Sequence, residues 1–126
     1  MASSSNPVRV VDSITELKLS DAGCIAVSGS HGGLSAARFA LTIRPLLSVF
    51  NDAGVGKDEA GLASLGFLQS HGLAACCVTH TSARIGDAKS TLNDGIIGHL
   101  NELAEQLGVK PGQSVQQMLA TKRIKN

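Results

Sequence analysis

Residues 24–33, CIAVSGSHGG, decide the fold of this chain, because four apolar residues run directly into a loop of serine, glycine and histidine. The apolar side chains of the next stretch, Leu34–Ile43, recur three and four residues apart, which predicts a helix. Pro45 follows and ends it. An apolar run, a polar glycine-rich loop and a helix in this order are typical of a βαβ unit.

The same order of apolar run, polar loop and helix recurs further along the chain. A second unit begins with the run 46–50 and has helical spacing over 59–70, and a third begins with the run 73–78. Val8–Val11 forms a first short strand. Nearly continuous apolar strands are typical of parallel sheets that are covered on both faces. The sequence therefore predicts an α/β fold: a small three-layer sandwich with a mostly parallel sheet of about four strands, similar to half of a Rossmann fold.

The last third of the chain carries the clearest helical pattern, an apolar stripe that predicts a helix over Gly95–Leu107. Ser114 is placed to cap a last short helix. A chain of 126 residues has the usual size of one domain and hides roughly two-thirds of its surface on folding. We expect a single α/β domain over 1–126, with a flexible N-terminus over 1–6 and a basic tail over 121–126.

Composition excludes several classes of function. A formal net charge of +1 offers no electrostatic footprint for nucleic acid or anionic lipid, and with no Trp or Tyr the chain lacks stacking platforms for bases. Cys24, Cys76 and Cys77 lie within or at the start of apolar runs, which argues against a disulfide framework or a zinc knuckle. We expect a soluble cytoplasmic protein that binds neither nucleic acid nor a membrane.

Polar residues follow each apolar run, where an open α/β sheet binds its ligands. Neighbouring strands lie about 4.8 Å apart, so three consecutive carboxyl ends fall within roughly 10 Å. One crevice is therefore expected to collect the candidate catalytic residues His31, Asp52 and His80. The candidate ligand-binding residues are Ser30, Gly32, Gly33, Asn51, Lys57, Ser82, Arg84 and Asp87.

Several of these residues also have an ordinary structural explanation. The loop 28–33 either holds an anion on its backbone N–H groups or makes a tight turn, and Ser30 is either a nucleophile or a helix cap. Asp52 is a general base, a metal ligand or a turn residue. Arg84 either grips an anion or pairs with Asp87 to hold its loop. His71 and His99 are interpreted as structural, the latter on the predicted helix.

The cofactor is left unknown by the sequence. Neither a dinucleotide fingerprint nor a Walker motif is present, since Lys57 is followed by Asp58 in place of Ser or Thr. His31, Asp52, His80 and Asp87 include the ligand types for a zinc or manganese ion, but they have no recognised metal-binding spacing.

The stretch Ile25–Gly33, IAVSGSHGG, followed by a helix, resembles the strand, Ser/Thr-His-Gly and helix opening of the mannose-family enzyme IIA domains of the bacterial sugar phosphotransferase system. Those domains are α/β proteins of about this size. The resemblance implies that His31 carries a phosphoryl group. It covers this one element of the chain.

The function expected from these features is acid–base or hydrolytic chemistry on a small anionic metabolite, by a hydrolase or lyase. A non-catalytic ligand-binding or assembly subunit and a phosphoryl carrier through His31 are the alternatives. We also expect a homo-oligomer, because a thin sheet leaves two edges unpaired. The apolar stripe 96–107 and the last helix, with Val115, Met118 and Leu119, are also expected to need a covering surface.

Overall fold

The computed structural model describes residues 6–124, which form one five-stranded sheet flanked by helices. The first four strands are parallel and the last is antiparallel. Residues 1–5 of the expected flexible N-terminus and residues 125–126 of the basic tail lie outside the described residues. The predicted small three-layer α/β sandwich is confirmed, with five strands in place of about four. The strands, in both chain and sheet order, are β1 Val8–Val11, β2 Ile25–His31, β3 Leu47–Asn51, β4 Ala74–Val78 and β5 Ile97–Leu100.

The helices flank this sheet, and in the described part of the chain none is long and apolar enough to cross a membrane. The helix predicted before Pro45 is confirmed, and so is the cap of the last helix, where Ser114 Oγ accepts from Gln117 N at 3.0 Å. The helix predicted over 59–70 begins later, at Ala63, after a 3-10 segment over Lys57–Leu62. The α-helices are α1 Leu34–Ile43, α2 Ala63–Ser70, α3 Ala88–Asp94, α4 Glu102–Gln106 and α5 Val115–Ile124.

The direction of the strand connections decides which face each helix covers. From β1 to β4 every connection moves to the next strand in the same direction, and right-handed crossovers that do so lie on one face. On that face α1 and α2 pack around Ala26, Phe50 and Cys77. After β4 the chain crosses to the other face, where α3, α4 and α5 pack around Val27, Val49 and Ile97. Two apolar layers therefore sandwich the sheet.

The helix predicted over Gly95–Leu107 is wrong. This stretch forms strand β5, which is antiparallel to β4, and then the short helix α4. In the register, Ile97 lies beside Val78 while Leu100 lies beside Cys76, so a bulge at Gly98 places side chains three residues apart on one face of the sheet. That spacing imitates the period of a helix, which is why the pattern misleads.

Asn101 ties the end of β5 into the fold. Its side chain is buried, with Oδ1 accepting from Ala75 N at 3.1 Å and from Ala104 N at 3.0 Å. The Nδ2 group donates to Leu65 O at 3.1 Å and to Leu73 O at 3.0 Å. One amide thus caps α4 and links it to β4 and α2.

We therefore expect Asn101→Ala to lower the free energy of unfolding by about 3 kcal/mol, because three buried hydrogen bonds and one partly buried hydrogen bond lose one partner. Chemical denaturation measures the change. The matched control is Asn93→Ala: Asn93 is exposed and accepts one hydrogen bond, from Gln116 Nε2, so we expect a change within about 0.5 kcal/mol. Equal effects of the two substitutions would contradict the role of Asn101.

Candidate functional site

The connections that follow β3 and β4 diverge, which predicts a crevice between the carboxyl ends of these two strands. The connection after β3 leads to α2 on one face of the sheet, whereas the connection after β4 leads to α3 on the other face. In open α/β sheets, ligands bind where neighbouring connections diverge in this way. The residues that follow these two strands include Asp52 and His80.

The Asp52 carboxylate is buried directly after β3, at this end of the sheet. Its side chain is only 5 % exposed, and Oδ1 accepts from the backbone N–H groups of Gly54 at 2.8 Å and His80 at 3.0 Å. Two backbone donors from two different loops therefore fix the orientation of the carboxylate. A buried carboxylate held in this way is ready to interact with neighbouring cations without reorganisation.

Two imidazoles face this carboxylate. His80 Nδ1 lies 3.3 Å from Asp52 Oδ1, and His99 Nε2 lies 3.6 Å from Asp52 Oδ2. The His80 side chain is 52 % exposed and the His99 side chain is 37 % exposed, so both rings are open to solvent while the carboxylate is not. A buried acid with two accessible imidazoles is suited to proton transfer.

His99 is the residue of this site that the sequence analysis missed, because it was interpreted as a structural residue on a helix. The structure places it in β5, paired with Cys77 on β4. Paired residues of an antiparallel ladder project from the same face, so His99 shares the face that Cys77 presents to the first apolar layer. Only a strand assignment with the bulge at Gly98 would have brought His99 to Asp52.

The segment after Asp52 has an unusual backbone. Ala53, with φ 53°, and Val55, with φ 69°, both adopt left-handed conformations that a β-branched residue rarely takes. The Asn51 side chain supports the turn: Oδ1 accepts from Ala53 N at 2.8 Å and Nδ2 donates to Ala83 O at 3.0 Å. Asn51 is completely buried and joins the two loops that frame the crevice.

His31 lies outside this cluster. It stands at the end of β2 and lines a separate, mostly apolar cavity of about 410 Å³ with Leu34 and Val55. This cavity lies between the loops that follow β2 and β3, whose connections leave on the same face of the sheet. Of the three candidate catalytic residues, the structure brings Asp52 and His80 into contact, whereas His31 is paired in the sheet with Asn51.

Four of the candidate ligand-binding residues hold the fold together. Ser30 Oγ accepts from Ile14 N at 2.9 Å and so does not cap α1, whose N-cap is Gly33. The Gly32 N–H donates to Asn51 O at 2.8 Å. Ser82 Oγ accepts from Ile96 N at 2.9 Å, and Asp87 caps α3 through Ser90 N at 3.1 Å.

The charged candidates Lys57 and Arg84 are exposed at the surface. Arg84 and Asp87 line a shallow polar cavity of about 290 Å³ beside α3. Lys57 begins the 3-10 segment that leads to α2. Both cations thus stand on the loops that carry His80 and Asp52, without entering the buried part of the site.

The proposed metal ligands are not gathered together, since Asp87 caps a helix and His31 lines its own cavity. Within residues 6–124, no group of three His, Cys, Asp or Glu side chains is placed to hold a metal ion. Cys77 lies next to the site, but burial raises the pKa of its thiol to about 12. The Cys77 thiol is therefore neutral at ordinary pH and is a poor nucleophile.

Comparisons with protein-family models, with curated proteins and with solved structures find no match for this chain. Its function is therefore inferred from the geometry at the carboxyl ends of β3 and β4.

Gly61 allows the segment after Asp52 to close over the site, because a methyl group there would collide with the Asp52 carbonyl oxygen. We expect Gly61→Ala to lower the free energy of unfolding by about 1–3 kcal/mol, since backbone must move. The control is Gly66→Ala, on α2, where the added methyl meets open space. That change is expected to stabilise the protein by about 0.5–1 kcal/mol. A Gly61→Ala variant as stable as the wild type in chemical denaturation would contradict the close contact.

Proposed function

We propose that this protein is an enzyme that performs general acid–base chemistry on a small anionic metabolite in the crevice between β3 and β4. The observation that carries the proposal is the buried Asp52 carboxylate, which two backbone N–H groups hold against the accessible ring of His80. His80 is the proton carrier. Asp52 orients the ring and stabilises its protonated form.

The contact with Asp52 gives the two ring nitrogens of His80 different roles. Nδ1 faces the carboxylate, so a proton on Nδ1 leaves Nε2 with a lone pair for the substrate. When Nε2 takes a proton, the imidazolium that forms is balanced by the negative charge of Asp52, as in other carboxylate–histidine pairs. Either a water molecule or the substrate itself supplies that proton, which covers both hydrolysis and proton transfer.

The two loops at the crevice also carry positive charge for an anionic substrate. Lys57 stands on the connection after β3 and Arg84 on the connection after β4, and both are exposed. An arginine binds a carboxylate or phosphate through two parallel hydrogen bonds, whereas a lysine acts as a single charge. The proposed substrate therefore bridges the loops, with its anionic group toward these side chains and its reacting atom toward His80.

A ligand-binding or assembly subunit is the alternative that the same site supports. Such a protein would bind small anions in the crevice without converting them. Testing binding and turnover on the same compounds separates the two functions. If a carboxylate or phosphate ester raised the melting temperature and no compound were converted, the result would favour the binding subunit.

The test of catalysis is a panel of small carboxylates, carboxylic esters and phosphate esters, assayed for conversion with the wild type and two variants. Asp52→Asn keeps an oxygen for the Gly54 and His80 N–H groups but removes the charge. His80→Asn keeps an amide donor near the Nδ1 position. We expect each variant to convert the active compound about 10²–10⁴-fold more slowly, as is usual when a general acid–base group is lost.

The control for these variants is His71→Asn. His71 is exposed at the end of α2, where its Nδ1 lies 2.9 Å from Phe67 O, away from the crevice. This variant should convert the compound at the rate of the wild type. If Asp52→Asn retained full activity with an unchanged melting temperature, the acid–base proposal would be wrong.

Self-association remains a proposal that rests on the sheet edges. The apolar stripe and the last helix no longer support it, because Ile97, Leu103 and Met118 pack inside the second apolar layer of one subunit. Strand β1 is an edge strand, however, and its Val10 side chain is 40 % exposed. We expect light scattering at micromolar concentration to give a mass above the 12.9 kDa of one chain. A mass of one chain at every concentration would refute association.

A further inference from the structure

His99 has no part in the chemistry proposed so far, although it meets Asp52 as His80 does. The two rings approach different oxygens of one carboxylate, His80 through Nδ1 at Oδ1 and His99 through Nε2 at Oδ2. They come from different elements, the loop after β4 and the strand β5. The His99 side chain is 37 % exposed, so its ring is open to solvent.

We infer that His99 is the second proton carrier of this site, and that the reaction is a proton transfer between two positions or two faces of one substrate. The inference rests on the proposed function of the crevice and specifies its reaction class. His80 and His99 are the base and the acid, and Asp52 is the carboxylate that they share.

The charges at the site favour this division of roles. The two rings approach opposite oxygens of one carboxylate, so a substrate that reaches both rings meets two imidazoles and a single acid group. The Cys77 thiol, on the residue paired with His99, is neutral because it is buried. In the proposed step one imidazole is protonated and the other is neutral, so that the pair provides an acid and a base at once.

The proposed step balances without a further reactant. The neutral ring of His80 removes a proton from a carbon next to a carbonyl or carboxylate group of the substrate, and the electrons of the C–H bond move into an enolate. The protonated ring of His99 then delivers its proton to the other face of that carbon, or to a neighbouring atom. The product is an isomer of the substrate, and the two rings regain their starting states by proton exchange with water.

The substrate class follows from this chemistry. It is a small carboxylate with a C–H bond that a neighbouring carbonyl or carboxylate group makes acidic, and its anionic group is the one expected at Lys57 and Arg84. Enzymes of this kind are recognised by isotope exchange, because the proton that the base removes is replaced from the solvent.

The experiment compares exchange and isomerisation in the same samples. The full-length wild type is incubated in D₂O with a panel of small carboxylates that carry such a C–H bond, and proton NMR follows both loss of the C–H signal and appearance of the isomer. His99→Gln places an amide nitrogen near the Nε2 position, so the contact with Asp52 is kept while the titrating ring is removed. His80→Asn does the same for Nδ1.

We expect the wild type to exchange and isomerise one member of the panel. His99→Gln should lose isomerisation by about 10²-fold or more while it still exchanges the C–H proton, because His80 still removes it. His80→Asn should lose exchange for the enantiomer or isomer on which it acts, and His71→Asn should match the wild type. His99→Asn serves as a second variant if His99→Gln melts at a lower temperature.

Each contrary result has a definite meaning. If His99→Gln isomerised as fast as the wild type, or lost exchange and isomerisation equally while folded, the inference would be wrong and His80 with Asp52 would still stand. If no carboxylate in the panel exchanged, the reaction class would be wrong. If Asp52→Asn and His80→Asn converted every active compound of the wider panel like the wild type, the proposed function itself would fail.

Discussion

The handedness of the strand connections is the constraint on which the rest of this structure depends. Three successive connections run in one direction along the sheet, and because such crossovers are right-handed in nearly all proteins, they place α1 and α2 on one face and leave the other face bare. The chain after β4 must then cover that face, and it does so with α3, α4 and α5. The divergence that opens the crevice is thus a consequence of covering both faces of a buried parallel sheet.

The burial of Asp52 is the main electrostatic feature of this end of the sheet. A carboxylate removed from water must be compensated, and here the compensation comes from two backbone N–H groups and two imidazoles on opposite oxygens. Of the left-handed residues after Asp52, Ala53 is held by Asn51, a buried amide that joins both loops, and Val55 by the Asp52 carbonyl oxygen. Backbone strain of this kind persists only where the surrounding structure enforces it, as it does at this end of the sheet.

The position of the site could be predicted from the sequence in outline and not in detail. Asp52 and His80 were expected together because each follows an apolar strand, and the structure places them within 3.3 Å. His31 also stands at the end of an apolar strand, but the position of a residue after a strand does not show to which face of the sheet the next connection leads. Ser30, Ser82 and Asp87 have the chemistry of ligand-binding residues, but their hydrogen bonds are made within the fold.

The sequence by itself determined the α/β class, the first four strands and the helix α1, because long apolar runs separated by polar loops and a proline leave few other arrangements. Only the tertiary structure decided the region from Gly95 to Leu107. There, a bulge at Gly98 gives a strand the apolar spacing of a helix. The backbone N–H and C=O groups of β5 are paired with β4, and the spacing of apolar residues in the sequence does not reveal such a pairing. His99 reaches Asp52 through that pairing, because contacts between residues distant in sequence depend on how the whole chain packs.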